Sequence, residues 1–199
     1  PVEISLSRSE GPEGPIFTAM IRDITGRKRT EAELTLLATT DPLTGIANRR
    51  LLTERLREES ERAKRYGRPL ALVMLDIDRF KIINDDYGHD VGDRVLIEVV
   101  RVMESEIREH DLCGRWGGEE FLILMPECTA QMAQTVMGRL GASIAALGVR
   151  VNEDLLGVTA SMGIAELRPE ETYSNTINRA DLALLRAKRS GRNRCELAD

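Results

Sequence analysis

No stretch of this chain approaches the roughly 20 consecutive apolar residues that a membrane-spanning helix needs. No membrane span is expected in this chain, no signal peptide is read at its start, and a cytoplasmic location is expected. Positive charge is not in excess: 28 Lys and Arg stand against 33 Asp and Glu, a formal net charge of −5. That balance argues against broad binding to a nucleic acid polymer. It leaves room for a nucleotide, which needs only a local site. Cysteine is scarce, and Cys113, Cys128 and Cys195 show no metal-ligand spacing. Each lies in or beside an apolar stretch and reads as an ordinary reduced thiol. There is no internal repeat. An initial methionine is missing as well: the chain opens on Pro1-Val2-Glu3-Ile4, which suggests a piece of something longer. What is present is a hydrophobic content of 42%, enough for a real core. The 199 residues hold one full domain and a small extra piece.

The first 24 residues read as two strands. Val2, Ile4 and Leu6 alternate with Glu3, Ser5 and Ser7, and Ile16 to Ile21 follow a turn of Gly11-Pro12-Glu13-Gly14-Pro15. A lone hairpin is marginal in water, so this one needs a partner surface. Asp23 or Thr25 can cap a helix starting near Gly26. Leu34, Leu37 and Ala38 give that helix a narrow apolar stripe, suited to a two-helix seam between two copies of the protein. Asp41-Pro42 ends it.

A second helix is expected from Asn48 to Tyr66, then a buried strand from Leu70 to Leu75 that stops in Asp76-Ile77-Asp78. A short helix or turn covers Phe80 to Tyr87, and a long helix follows Gly88. Its buried face is expected to carry Val91, Val95, Val99, Val102, Met103 and Ile107. Asp93 lies near Leu96 and Ile97 by the helical step. Beyond it, Thr129 starts a helix with Met132, Val136, Leu140 and Ile144 inside. A strand spans Gly157 to Ile164 with Val158, Ala160 and Met162 inward. A last helix buries Ile177, Ala180, Leu184 and Ala187, and a short strand follows. The pattern is α+β, with helices on a central sheet.

The chemistry gathers around Arg115-Trp116-Gly117-Gly118-Glu119-Glu120-Phe121. Phe121 to Met125 reads as a buried strand. Gly117-Gly118 reads as a tight hairpin turn, because glycine takes positive φ without steric cost. Two acids at a strand tip repel each other unless neutralised, and Asp76 ends a second apolar strand. If the two strands are neighbours, their carboxylates converge. Hard oxygens of this kind suit Mg²⁺ together with substrate phosphates, which points to a nucleoside triphosphate. Lys81, and the i, i+4 pair Lys188 and Arg192, can neutralise phosphates. The plainer alternatives are a solvated acidic hairpin and a basic helix end favoured by the helix dipole.

Taken together the motifs resemble the diguanylate cyclase domain, known by its Gly-Gly-Asp/Glu-Glu-Phe signature. The matching segments are Asp41-Pro42-Leu43-Thr44-Gly45 with Asn48-Arg49-Arg50, and Asp76-Ile77-Asp78 with Phe80-Lys81 and Asn84-Asp85. Gly88-His89 with Gly92-Asp93 and the Arg115 to Phe121 signature follow. Ser161-Met162-Gly163-Ile164, Ala180-Asp181, Ala187-Lys188 and Gly191-Arg192-Asn193 complete the set. The resemblance covers about residues 38 to 197. Residues 1 to 24 look like the last hairpin of a PAS sensor domain. The expected organisation is therefore a PAS hairpin at 1–24, a linker helix at 25–40 and a cyclase domain at 41–199, with a nucleotide-cyclase-like, ferredoxin-like mixed sheet.

The resemblance implies that two GTP condense into cyclic di-GMP with loss of two pyrophosphates. It implies Mg²⁺ or Mn²⁺, two per half-site, held by Asp76, the Ile77 carbonyl and Glu119. Glu120 would assist there or activate the 3′-hydroxyl. Asn84 and Asp93 would read guanine beside Phe80 and Leu96. Lys81, Lys188 and Arg192 would hold phosphates. Arg108 and Asp111, with Arg139, match an inhibitory product site; the plainer alternative is an ordinary exposed ion pair between Arg108 and Asp111. Because one domain holds one GTP, a homodimer through the linker helix and PAS region is implied. Arg79, Trp116 and Leu185 depart from residues common in the family, none at a metal or guanine position. The competing functional readings are a catalytically silent module that binds GTP or cyclic di-GMP, and a pure dimerisation and sensing unit built on residues 1 to 40.

Overall fold

The computed structural model describes residues 1–12, 14–151 and 154–199, with backbone alone at 11, 16 and 31–33. Glu13, in the expected Gly/Pro turn, lies outside the described residues. The chain divides into two compact units, Pro1–Ala38 and Thr39–Asp199. In the first, β1 (Val2–Gly11) and β2 (Gly14–Asp23) form an antiparallel ribbon. Its register sets Ile4 against Ile21 and Leu6 against Ala19, so one face of the ribbon is apolar and exposed. Helix α1 (Thr25–Thr39) follows. The Asp23 carboxylate accepts from both the backbone N–H and the hydroxyl of Thr25, at 2.8 and 2.6 Å, and so caps it. Leu34, Leu36 and Leu37 are exposed on this helix.

The second unit runs in the order α2 (Arg49–Tyr66), β3 (Leu70–Ile77), α3 (Phe80–Tyr87), α4 (His89–Glu106), β4 (Leu112–Arg115) and β5 (Glu120–Pro126). It continues through α5 (Ala130–Ala145), β6 (Gly148–Val151), β7 (Asp154–Gly157), β8 (Ala160–Glu166), α6 (Tyr173–Arg189) and β9 (Cys195–Leu197). Five strands form one mixed sheet in the order β4-β5-β3-β8-β9. Only the β8–β9 pair is parallel. Helices cover both faces, which is why β3 is apolar along its length rather than alternating. Val73, Leu75, Phe121 and Ile123 face α4 and α5, where Val95, Val99, Met137 and Leu140 complete one core. Leu72, Met74, Leu122 and Leu124 face α2 and α6, meeting Leu52, Leu56, Ala180 and Leu184 in the other. This is the α+β, nucleotide-cyclase-like arrangement expected from the sequence.

Side chains and glycines mark the helix ends, at Asn48 and Thr129 as expected and at Thr172 as a finding of the structure. Asn48 accepts from the N–H of Leu51, Thr129 from that of Met132, and Thr172 from that of Asn175. Gly67 closes α2 at φ 63°, the left-handed cap glycine tolerates best.

Three expectations need correction. The inward face of α5 carries Ala133, Met137, Leu140 and Ile144, whereas Met132 is exposed and Val136 only half-buried. Small Ala133 hid the true stripe, one step on from the bulkier residues. The strand expected from Gly157 begins at Ala160. Gly157 instead closes a separate hairpin in which β7 pairs with β6. And three residues expected to be buried are only partly so: Val102 and Ile107 at the edge of the α4 face, and Ile177 on α6, where Thr176 is buried instead.

Candidate active site

Strands β3 and β5 run antiparallel with Asp76 opposite Glu120, and the Ile77 N–H donates to the Glu119 carbonyl at 3.3 Å. The register therefore carries the acids of both strands to one end of the sheet. Asp76 is buried, and Lys188 on the last turn of α6 reaches it at 2.8 Å. Burial pushes the Asp76 carboxyl up, Lys188 pulls it down, and the charges of Glu119 and Glu120 add to the rise; the net direction is upward. Among the described residues no three metal-ligating side chains are already drawn into one cluster. The donor set is nonetheless of the right chemistry: hard carboxylate oxygens at adjoining strand ends, crowded enough to repel one another and partly neutralised by one ammonium. The residues present fit a divalent cation.

The turn between β4 and β5 is held from outside. Neither Gly117 nor Gly118 has positive φ, which corrects the reason expected for glycine there. A side chain at Gly117 would instead place its Cβ 2.7 Å from a carboxylate oxygen of Glu120. The Arg115 guanidinium donates to the carbonyls of Gly117 and Gly118 and pairs with Asp41 at 3.2 Å. Asp41 also accepts from the N–H and hydroxyl of Thr44. Burial raises the Asp41 carboxyl, but Thr44 and Arg115 outweigh it and hold it below its ordinary value. The Arg115 N–H bonds the Ala47 carbonyl, and Gly114 lets that segment approach, since a Cβ there would lie 2.5 Å from the same oxygen. Arg49 stacks over Trp116, 4.5 Å from the ring centre.

Helices α3 and α4 pack together and form a second cradle. A Cβ on Gly92 would fall 1.9 Å from Asn84 Oδ1, so only glycine lets the Asn84 amide lie against α4. Among the described residues that buried oxygen has no hydrogen-bond partner. An orphaned acceptor of this kind marks a place where a donor is missing. Phe80 and Leu96 are buried in the core. Asp93 is exposed, and Asp90 rather than Asp93 occupies the first turn of α4, which disfavours a dipole-pairing role for Asp93. Lys81 is exposed on α3.

Lys188 and Arg192 do not share a helix face. α6 ends at Arg189, and Arg192 lies beyond it at φ 65°. Its N–H caps back onto the Ala187 carbonyl at 3.0 Å. Asp78 shapes this loop, a role missed in the sequence. Its buried carboxylate accepts from Thr159 Oγ1 at 2.7 Å, Ser161 Oγ at 2.6 Å and the Asn193 N–H at 3.0 Å. The only sequence signal was its place in Asp-Ile-Asp, which did not reveal the partners.

Among the described residues no ion pair joins Arg108 to Asp111. Asp111 is buried and accepts from the Arg108 backbone N–H at 3.0 Å, and burial raises its carboxyl. Arg139 is engaged by Glu106.

A family model described as "Diguanylate cyclase, GGDEF domain" matches residues 38–194. Diguanylate cyclase DgcP of Pseudomonas aeruginosa is 44% identical over 161 residues, 81% of this chain and 24% of its own length. The probable diguanylate cyclase DgcC of Escherichia coli is 39% identical over 166 residues, 83% of this chain and 44% of its own. The chain thus spans about a quarter of the first relative and under half of the second. Among solved structures, diguanylate cyclase SiaD of Pseudomonas aeruginosa, in complex with its activator SiaC, superposes with a TM-score of 0.80 at 55% identity, covering 87% of this chain and 66% of that one. The coiled coil and GGDEF domain of DgcB from Caulobacter crescentus, in complex with c-di-GMP, gives 0.82 at 33% identity, covering 87% and 93%.

Proposed function

The chain belongs to the diguanylate cyclase GGDEF-domain family, and from that premise we propose that it condenses two GTP into cyclic di-GMP. The observation that carries this reading is the meeting of Asp76 with Glu119 and Glu120 across the β3–β5 pair, under Lys188. In each of two steps a ribose 3′-oxygen attacks the α-phosphorus of the other GTP. The bond to the bridging oxygen of the β-phosphate breaks, and pyrophosphate leaves. Asp76, the Ile77 carbonyl and Glu119 would hold Mg²⁺ or Mn²⁺, two per half-site. Such ions, when bound, offset phosphate charge and acidify the attacking hydroxyl.

The protein's own groups do the rest. Glu120 lies beside Asp76 in register and accepts the 3′-hydroxyl proton. Lys188, Lys81 and Arg192 balance the triphosphate, as positioning and charge stabilisation dominate phosphoryl transfer. The unpartnered Asn84 oxygen and the Asp93 carboxylate accept from guanine N1–H and its amino group. Adenine lacks both donors, so ATP would leave these acceptors unpaired. Phe80 and Leu96 form the apolar floor below them.

One such site holds one GTP, so two copies must meet face to face. The exposed Leu34 and Leu37 of α1 and the apolar face of the β1–β2 ribbon support pairing through a linker helix and a PAS-type segment. A cyclic di-GMP site at Arg108, Asp111 and Arg139 would restrain the domains rather than compete with GTP. No described helix is long and apolar enough to cross a membrane. The direct test is chromatography of the product after incubation with GTP and Mg²⁺. Cyclic di-GMP is expected from the parent and absent from Asp76→Asn; equal turnover in that variant would remove the assignment.

A further inference from the structure

We propose that Glu106 is a built-in competitor for the product: it holds Arg139 of the inhibitory site, and cyclic di-GMP must displace it. The inference rests on the product-site reading above. Glu106 is the last residue of α4, and Arg139 projects from the facing helix α5. Two donors on one edge of the guanidinium are engaged. Nε pairs with Glu106 Oε2, and Nη2 donates to the Glu106 backbone carbonyl at 2.8 Å. The other carboxylate oxygen is tethered by the Ser143 hydroxyl at 2.7 Å. Ser143 is one helical turn after Arg139, so the two grip the carboxylate from the same face of α5.

Those contacts have a consequence for ligand binding. A guanine edge or a phosphate is recognised by a two-donor edge of arginine. Here one such edge is spent on a carboxylate of the same chain. The carboxylate also cancels the arginine charge that an anionic product would seek, and repels its phosphates. The Ser143 and Arg139 hydrogen bonds keep Glu106 below the ordinary glutamate range, so it stays charged at neutral pH. Arg139 itself is 61% exposed and Glu106 19%, so the arginine can swing away while the acid stays tethered. Glu106 thereby sets how much product is needed to inhibit.

The test is calorimetric titration of the full chain with cyclic di-GMP, without metal or GTP. Glu106→Gln keeps the size and removes the charge; it should bind product about fivefold more tightly, the size of an exposed ion pair of ordinary strength. Ser143→Ala, which cuts the tether, should shift affinity the same way by less. The Glu106→Gln gain should vanish in an Arg139→Ala background. If Arg108→Ala abolishes binding while Glu106→Gln binds as the parent does, or more weakly, Glu106 is idle or positions Arg139 and the proposal fails. If Arg108→Ala binds as tightly as the parent, the product sits elsewhere, and the underlying site reading fails instead.

Discussion

The ammonium of Lys188 lies 2.8 Å from Asp76 Oδ2, tying the last turn of α6 to the end of β3. One lysine thus stabilises the acid on which the proposed metal site depends. Replacing Lys188 with Met removes the cation and leaves a buried carboxylate without its partner. Stability should fall by about 1–3 kcal/mol, measured by urea unfolding at neutral pH. GTP turnover should fall with it.

Asp76→Asn should move stability the other way. Burial holds the folded-state carboxyl above its ordinary value, so ionising it costs folding free energy. The carboxyl's stabilising contribution is present below the unfolded pKa and is lost as pH rises through the folded one. The Asn variant should therefore melt higher than the parent at neutral pH, with the difference closing in acid. Scanning calorimetry at several pH values reads this directly; equal melting at neutral pH would contradict it. The variant should be inactive despite its greater stability.

Two glycines should fail in different ways. At Gly163 a Cβ would sit 2.0 Å from the Ala180 carbonyl oxygen and 2.2 Å from the Leu184 nitrogen, both backbone. Helix α6 cannot retreat without opening the core, so Gly163→Ala should cost at least about 1–3 kcal/mol. At Gly92 the obstacle is the Asn84 side chain, which can rotate away. Gly92→Ala should fold nearly as well but raise the KM for GTP about tenfold, as one base contact is lost. Steady-state kinetics beside thermal melts separate the two.

Asp41 and Arg115 should act together. Asp41→Asn removes a charge that accepts from Thr44 and Arg115, and should cost about 2 kcal/mol at neutral pH. Asp41 is held below its ordinary value, so its contribution is present above the unfolded pKa and lost as pH falls through the folded one. The penalty of the variant should shrink accordingly in acid. Arg115→Lys cannot reach Gly117, Gly118 and Asp41 at once, and turnover should drop more than stability. Fluorescence of Trp116, the single tryptophan, reports the turn in both variants.

Pairing through α1 should show as a specific activity that rises with protein concentration. Activity per molecule that stays constant over a range where sedimentation finds only monomers would contradict it.

The sequence alone determined what depends on local backbone preference and side-chain periodicity. Asn48 and Thr129 cap where they were placed, and β3 reads as buried because helices cover both its faces. The acids at the ends of β3 and β5 were legible for the same reason: an apolar run that stops in carboxylates is visible without a partner. Register and packing decided the rest. That Asp76 meets Glu120 depends on which strands pair, and that Lys188 meets Asp76 depends on how α6 lies over β8. Arg192 left the helix because the chain turns left-handed after Arg189, where Asp78 holds the Asn193 N–H from 115 residues away. On α5, Ala133 rather than Met132 faces inward, since the helix phase is set by what it packs against, not by the size of its own side chains. Glu106 and Arg139 are 33 residues apart and belong to no shared motif. Only the contact of α4 with α5 brings that carboxylate onto that guanidinium.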